Sequence, residues 1–293
     1  MEDLERAEKR LDDIRTVEPI LNALRTISLG SWQAALKGRE GVRRYAERLA
    51  AVLPALSPHI PPNTLPKLEG MRGGARVVAL AVGSGRGLCG RFNTAVIERT
   101  ERYLAEQKAA GTQVELVVMG RHTARIFRRR RRAMAAPAVL PIIGRPPYRM
   151  ALDLTRRWLA RHEEGELDAV YLIHNAYRGT GRYEPTVVRL IPPMLPTPPE
   201  AATLPWPPPI IETDPLSLYA HVVEQWTAAR LYGLLLESAA AEHSARYQLM
   251  EAATQSAERL IDELTLVVQT ARRQAITQEM QELAAGAGLL GLR

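Results

Sequence analysis

Cysteine is almost absent from this chain of 293 residues, since Cys89 is the only one. A single thiol excludes an internal disulfide and a metal site built from several cysteines, and it is typical of a reducing compartment. No apolar run approaches the ~18 residues that a membrane-spanning helix needs. The charged segment 2–15 lacks the apolar stretch of a secretory signal. These absences predict a soluble protein that could still bind to a membrane complex.

Recognisable sites for chemistry are also missing. The six histidines show no spacing typical of metal ligands, and the chain has no phosphate loop of the form G-x-x-x-x-G-K-[ST]. No serine lies in a nucleophile motif, and Cys89 is best interpreted as a buried structural thiol. These patterns therefore predict no catalytic residue and no metal ligand.

Glycine and proline are absent from residues 234–285, although the chain has 20 glycines and 21 prolines. This gap predicts a helix ~80 Å long at about 1.5 Å per residue, far wider than a sheet domain, so the helix is expected to project. Apolar or small residues form a stripe along this helix, and the stripe is expected to be buried against another part of a protein. Its residues are Leu249, Ala253, Leu260, Leu264, Val267 and Ala271.

The N-terminal segment has a similar pattern, with apolar residues at steps of three and four and charge on the other faces. The residues of this apolar face are Leu4, Ala7, Leu11, Ile14, Val17, Leu21 and Leu24. Prolines from Pro58 onward are expected to end the helix. Because this is the other long helix, we predict that the two ends of the chain form an antiparallel coiled coil.

The middle of the chain alternates between strands and helices. Residues 77–82, 114–119 and 169–174 are short, apolar and rich in valine and isoleucine, as buried strands are, and 186–191 is expected to form an edge strand. Helices are expected at 93–107 and 148–163. This alternation predicts a Rossmann-like, mostly parallel α/β domain.

The predicted fold class is thus α/β: an antiparallel coiled coil of the N- and C-terminal helices plus a central Rossmann-like domain. Nine prolines fall in residues 192–209, which favours an extended connection there. The predicted segments are an N-terminal coiled-coil helix over 1–57, an α/β foot domain over 75–191, a proline-rich connection over 192–211 and a C-terminal coiled-coil helix over 212–288.

A glycine-rich loop, GSGRGLCGRFN over 83–93, follows the first predicted strand and precedes a helix. The spacing from Gly85 to Gly90 is that of a dinucleotide-binding loop, and a helix N-terminus can accept a phosphate. No acidic residue ends the second strand to bind a ribose, although Arg121 could accept a 2′-phosphate. An NADP-binding oxidoreductase is therefore one alternative, and a tight structural turn is the other.

Two stretches of the chain resemble one protein family. The run SGRGLCGRFN resembles the S-D-R-G-L-C-G-G-x-N motif of gamma subunits of rotary F-type ATP synthases. The region that starts at Glu242 resembles the last helix of that family, with its E-x-x-A-R-M, A-M-x-x-A-T and R-Q-A-x-I-T-x-E motifs. The order of long helix, sheet domain and long helix covers the whole chain. The sequence is therefore similar to a divergent gamma subunit.

This resemblance implies a noncatalytic central shaft that needs no cofactor, so the chain itself would not be an enzyme. Its coiled coil would stand inside a ring of catalytic beta and noncatalytic alpha subunits, and its foot would lie near the epsilon subunit and the membrane c-ring. Rotation driven by ion flow would then be coupled to ATP synthesis, and ATP hydrolysis would drive rotation in the reverse direction. The implied location is peripheral, at the cytoplasmic face of the cell membrane, with no nucleic acid as partner. A gamma-like shaft with altered or lost membrane coupling remains an alternative.

Two groups of residues are expected to bind partners, because arginine forks and apolar side chains suit such contacts. A polar cluster on the last helix consists of Arg272, Arg273, Gln274, Thr277, Gln278 and Glu279, for which a solvated helix face is the alternative. The glycine loop contributes Arg86, Leu88, Cys89 and Arg91. Leu289, Leu290 and Leu292 are expected to form an apolar tip.

A run of five arginines occupies residues 128–132. A solvated loop or protection of a sheet edge is the plain interpretation. Contact with acidic partner loops or lipid headgroups is the alternative, and nucleic-acid binding lacks interleaved aromatic residues.

The chain departs from the family pattern at several positions. Pro19 stands where the family has lysine, Gly85 where it has aspartate and Arg273 where it has glutamine. A proline inside a helix costs roughly 3 kcal/mol and is expected to kink it. We expect the contacts with the ring to differ accordingly.

Overall fold

A computed structural model describes residues 2–60, 75–135, 146–195 and 210–286. The chain divides into two compact units, one of Met1–Ile27 with Tyr247–Arg293 and one of Ser28–Arg246. This division cuts through both long helices, whereas the expected domain boundaries separate the helices from the sheet. The second unit includes the inner parts of the helices because they bury apolar side chains with the sheet domain.

The first long helix, α1, covers Glu2–Ala50 and is followed by the short α2, Leu53–Leu56, and a 3-10 turn, Ser57–His59. It ends before the predicted residue 57, because Pro54 has no N–H to continue the ladder. The expected kink at Pro19 does not break α1, which is helical on both sides of it. The prolines at 61, 62 and 66, which are expected to help end the helix, lie outside the described residues.

The sheet of the second unit contains β1, Arg76–Val82; β2, Gln113–Met119; β3, Ala169–Gly179; and β4, Arg182–Ile191. The strand order is β2-β1-β3-β4, with β1 parallel to both of its neighbours. The antiparallel β4 forms one edge. The mostly parallel sheet and the edge strand are therefore confirmed.

Helices cover both faces of this sheet. Those after β1 and β2 are α3, Phe92–Ala109, and α4, Arg121–Arg129, which bury side chains on one face. The other face packs against α5, Tyr148–Glu163, and the inner part of the last helix, α6, Pro215–Gly286. Hydrophobic periodicity does not predict α4, because its nine residues are mostly polar or charged and only Thr123, Ala124 and Phe127 are buried.

In the first unit, α1 and α6 pack against each other in opposite directions. Arg25 Nη1 lies 3.0 Å from Glu251 Oε2, and Arg272 Nη2 lies 2.6 Å from Glu8 Oε1. Glu8 precedes Arg25 along α1, whereas Arg272, the partner of Glu8, follows Glu251 along α6. The two helices are therefore antiparallel. Ala7 and Leu11 pack with Val268 between the helices. The predicted antiparallel pairing is confirmed.

The buried stripe of α6 differs from the predicted one. Leu249, Leu260 and Val267 are exposed by 39%, 42% and 51%, so their predicted burial is wrong. A set of buried or half-buried side chains follows steps of four and three, as a coiled-coil seam requires. They are Met250, Thr254, Ala257, Ile261, Leu264 and Val268. Of the predicted stripe, Leu264 lies on this seam, and Ala253 and Ala271 are half-buried. This seam includes small and polar residues, which a search for large apolar residues misses.

The same correction applies to α1. Val17 is 48% exposed, although the predicted stripe includes it. The seam instead passes through Glu18, which is half-buried, four residues after Ile14. A strict alternation of three and four residues places position 18 on the seam and turns position 17 outward.

Two glycines allow the connections after β1 and β2 to cross closely. Gly120 has φ +102°, and a Cβ there would lie 2.5 Å from the carbonyl oxygen of Gly83. A Cβ on Gly83 would lie 1.9 Å from Thr123 Oγ1. Only glycine fits such a crossing, because it has no Cβ and tolerates positive φ. The crossing places the start of α4 beside the glycine-rich loop.

We expect Gly120→Ala to lower the free energy of unfolding by roughly 3 kcal/mol, since backbone strain and a steric clash add up. The matched control is Gly111→Ala, at φ +72°, where an added Cβ would have nothing within 4 Å. This control introduces the backbone strain alone and should lose about 1 kcal/mol. Urea unfolding followed by tryptophan fluorescence measures both values. Equal losses in the two variants would contradict the crossing as the cause.

Candidate partner-binding surfaces

The glycine-rich loop is held from inside by the side chain of Asn93. Its Oδ1 accepts hydrogen bonds from the Ser84 N–H at 2.9 Å and from the Thr123 hydroxyl at 2.8 Å. Its Nδ2 donates to Ser84 Oγ at 2.8 Å and to Cys89 Sγ at 3.3 Å. One buried amide therefore connects the end of β1, the start of α3 and the first turn of α4, and satisfied buried networks of this kind are rigid.

A second connection joins the loop to α6. Arg246 donates from Nε and Nη2 to the carbonyl oxygen of Gly87, at 3.4 and 3.3 Å. The same guanidinium bonds Glu242 Oε1 at 2.6 Å and lies 3.1 Å from His243 Nδ1. The two stretches that carry the family resemblance thus meet in space. Nothing in the spacing of the sequence predicts this contact.

The loop presents three of its four predicted contact residues to solvent. Arg86, Leu88 and Arg91 are exposed, and Leu88 is exposed by 59% at φ +59°, a conformation unusual for a residue with a Cβ. Cys89 is only 1% exposed, so its side chain does not belong to this surface. Burial raises the pKa of the Cys89 thiol, with a smaller contribution from Glu242. This is the environment of an unreactive structural cysteine.

The polar cluster of α6 lies in the first unit, and all six of its side chains are exposed. Arg272 is paired with Glu8, and the Thr277 hydroxyl donates to the Arg273 carbonyl oxygen at 2.7 Å. Gln278 donates to Glu282 at 3.0 Å. Within the described part of the chain, Arg273, Gln274 and Glu279 have no side-chain partner. These three are therefore available for contacts with another subunit.

Large apolar side chains are exposed beside this cluster, a feature that the sequence pattern did not lead us to expect. They are Leu266, Val267, Ile276, Met280 and Leu283, each exposed by 51–67%. Exposed apolar side chains grouped on one helix typically mark an interaction surface. The sequence does contain this information, because these apolar residues lie outside the seam positions, which follow steps of three and four residues. The predicted tip at Leu289, Leu290 and Leu292 lies outside the described residues.

Exposed apolar side chains on the helix pair and an exposed basic loop on the α/β domain are typical of a subunit of a larger assembly. No helix among the described residues is both long enough and apolar enough to cross a bilayer. A family model described as ATP synthase matches residues 3–290. The chain belongs to this family, in its gamma-chain branch.

Individual relatives agree with this assignment. The chain is 32% identical over 292 residues to the ATP synthase gamma chain of Rubrobacter xylanophilus, with 99% of both chains covered. It is 29% identical to the gamma chain of Geotalea uraniireducens, with 98% of both covered. The dinucleotide-binding alternative has no support from these relatives. Their names support the function of a gamma subunit.

Solved structures of central stalks share the fold. A chain of the mitochondrial ATP synthase of Euglena gracilis has a TM-score of 0.57 at 12% identity, with 98% of this chain and 94% of that chain covered. A chain of the central stalk and c-ring structure from Tetrahymena thermophila has a TM-score of 0.55 at 17% identity, with 80% and 99% covered. The mixed fold of terminal helices and central sheet is thus shared with chains of solved ATP synthases.

We expect acid to destabilise the second unit through His243. Burial, and then the charge of Arg246, lowers the pKa of His243 from 6.5 to about 4. Between these values the unfolded chain binds a proton that the native chain does not, so stability rises with pH and is lost as pH falls. The contribution of this residue to the free energy of unfolding should fall by about 2 kcal/mol between about pH 7 and pH 5.

Urea unfolding at the two pH values, in the wild type and in His243→Gln, measures this contribution. The variant should show the smaller dependence on pH. The matched control is His221→Gln, which changes an exposed ring on the same helix and should retain the wild-type dependence. If His243→Gln behaves like the control, the buried imidazole is not the group responsible.

Proposed function

We propose that this gamma subunit is the noncatalytic rotating shaft of an F-type ATP synthase. Rotation driven by ion flow would be coupled to conformational change in the catalytic ring, for ATP synthesis or, in reverse, for hydrolysis. The observation that carries the proposal is the antiparallel helix pair of the first unit, which leaves large apolar side chains exposed on α6. Such side chains are stabilised when a surrounding protein covers them.

The physical basis of coupling is asymmetry. A pair of helices presents different side chains in different directions: Gln274 and Gln278 are polar, whereas Ile276 and Leu283 are apolar and lie roughly 140–180° away from them around α6. Identical catalytic subunits around the pair would therefore make different contacts with it. Each contact favours one conformation of a subunit by the difference in its interaction free energy with the two states. Turning the pair would move each preference to the next subunit.

The proposed partners are assigned to separate surfaces. The polar and apolar residues of α6 would contact the alpha and beta subunits, and Arg273 is suited to a carboxylate there. Arg86, Leu88 and Arg91 would form a second contact with a partner of the same complex. The epsilon subunit and the c-ring are proposed for the foot domain. The solved relatives support this in general terms, since they belong to assemblies that contain F1 and a c-ring.

This assignment gives the chain a peripheral position on a membrane-bound complex, and we propose the cytoplasmic face of the cell membrane. It also gives the chain no catalytic step of its own. The support for a noncatalytic role is the setting of Cys89, a buried thiol whose pKa is raised by burial.

A shaft with altered membrane coupling is the second candidate. The observation that favours it is Gly85 in the second unit, where the family pattern has aspartate. The α/β domain that carries this residue is the one proposed to contact the epsilon subunit and the c-ring. Pumping of protons or of sodium ions by the purified complex in vesicles distinguishes the candidates. ATP hydrolysis without pumping would support the second.

We expect Ile276→Gln with Met280→Gln to reduce ATP-driven pumping of the whole complex several-fold, because apolar contacts with the ring are lost. These side chains are 57% and 65% exposed, so the stability of the chain should change by no more than about 0.5 kcal/mol. The control is Ile276→Leu with Met280→Leu, which keeps the apolar surface and should keep the activity. Normal pumping by the glutamine variant would contradict these ring contacts. Failure of the wild-type chain to co-purify with ATPase subunits would overturn the proposal itself.

A further inference from the structure

The end of α4 and the turn after it carry charge of one sign. Residues 121–135 contain seven arginines and no carboxylate. Arg132 is paired with Glu101 on α3. The side chains of residues 128–131, called the arginine surface below, are exposed and have no carboxylate partner within the described ranges. The sequence alone leaves this run open between a solvated loop, edge protection and a partner contact.

The backbone is constrained where the arginines stand. The Arg131 N–H donates to the Arg128 carbonyl oxygen at 2.9 Å, and the Arg132 N–H donates to the Phe127 carbonyl oxygen at 3.1 Å. These two bonds form the Schellman motif that often ends a helix. Its first residue beyond the helix cap adopts a left-handed conformation, so glycine is usual there. Here that residue is Arg131, at φ +54°. A side chain is thus held at a position where glycine would be less strained.

Edge protection does not account for the cluster. The edge strand β2 is already covered at this point, because the Ala135 N–H donates to the Leu116 carbonyl oxygen at 2.8 Å. The helix dipole also favours cations at a C-terminus, but it amounts to only about half a charge. Four neighbouring guanidinium groups exceed what that half charge can offset. The arginine surface therefore has a net positive potential that a partner of opposite charge can complement.

The class of partner follows from chemistry and from motion. Single-stranded nucleic acid needs aromatic platforms, and the nearby Phe127 is fully buried. If the chain is a rotating shaft, a firm contact with a stationary membrane or stator would oppose rotation. This step rests on the proposed function. We propose that the arginine surface binds an acidic segment of a protein that rotates together with this chain.

Removing charge from the arginine surface tests the proposal in the purified complex. The variant is Arg129→Gln with Arg130→Gln. The control is Arg149→Gln with Arg157→Gln, which removes two exposed arginines from α5 on the other face of the sheet. Retention of each subunit is measured by mass spectrometry as the salt concentration rises. The complex with the variant should bind one rotor subunit about tenfold more weakly than the wild type does. The difference should be largest at low salt, where charges are least screened. The control should match the wild type.

Cross-linking identifies the segment. Arg130→Cys labelled with a benzophenone, with Arg157→Cys as control, reports what lies against each surface, because Cys89 is buried and should not be labelled. The expected product is a peptide rich in Asp and Glu from a subunit of the rotor. A product with lipid, nucleic acid or a stationary subunit, or none at all, would overturn the inference. A wild-type complex that assembles and pumps shows that the proposed function stands even then.

Discussion

The seam between α1 and α6 holds the first unit together, and the positions of its outward side chains follow from it. Most of the stability of a helix in a protein comes from burying an apolar face rather than from its backbone hydrogen bonds. The seam supplies that face with side chains as small as Ala7 and Ala257, supported by larger ones such as Leu11 and Val268. Small residues let the helices approach closely, but they bury little area. The larger apolar residues of α6 point outward and are available to a partner.

The second unit is organised differently, by polar contacts inside an apolar frame. Asn93 connects three elements, and Arg246 connects the loop to α6. Position 85, where this chain has glycine and the family pattern has aspartate, takes part in none of these bonds. The departure is therefore compatible with an intact loop. The residues that give the loop its family resemblance act mainly as its scaffold, and only Arg86, Leu88 and Arg91 face outward.

In the proposed function the two units have separate tasks. The first would offer asymmetric helix faces to a ring of partners, and the departures at Pro19 and Arg273 fall there. The second would fix partners that share the motion, at the glycine-rich loop and at the arginine-rich end of α4.

The order of the long helices and the strands, the mostly parallel sheet, the antiparallel pairing and the family could be inferred from the chain without coordinates, whereas α4 could not. They follow from hydrophobic periodicity, from the stretch without glycine or proline and from two motifs, all of which are local in the chain. The packed fold was needed to establish that Val17 and Val267 face outward, that Cys89 is buried and that Arg246 reaches Gly87. The reason is physical: neighbouring stripes on a helix differ by about 100° per residue, and only packing against a particular partner selects one of them.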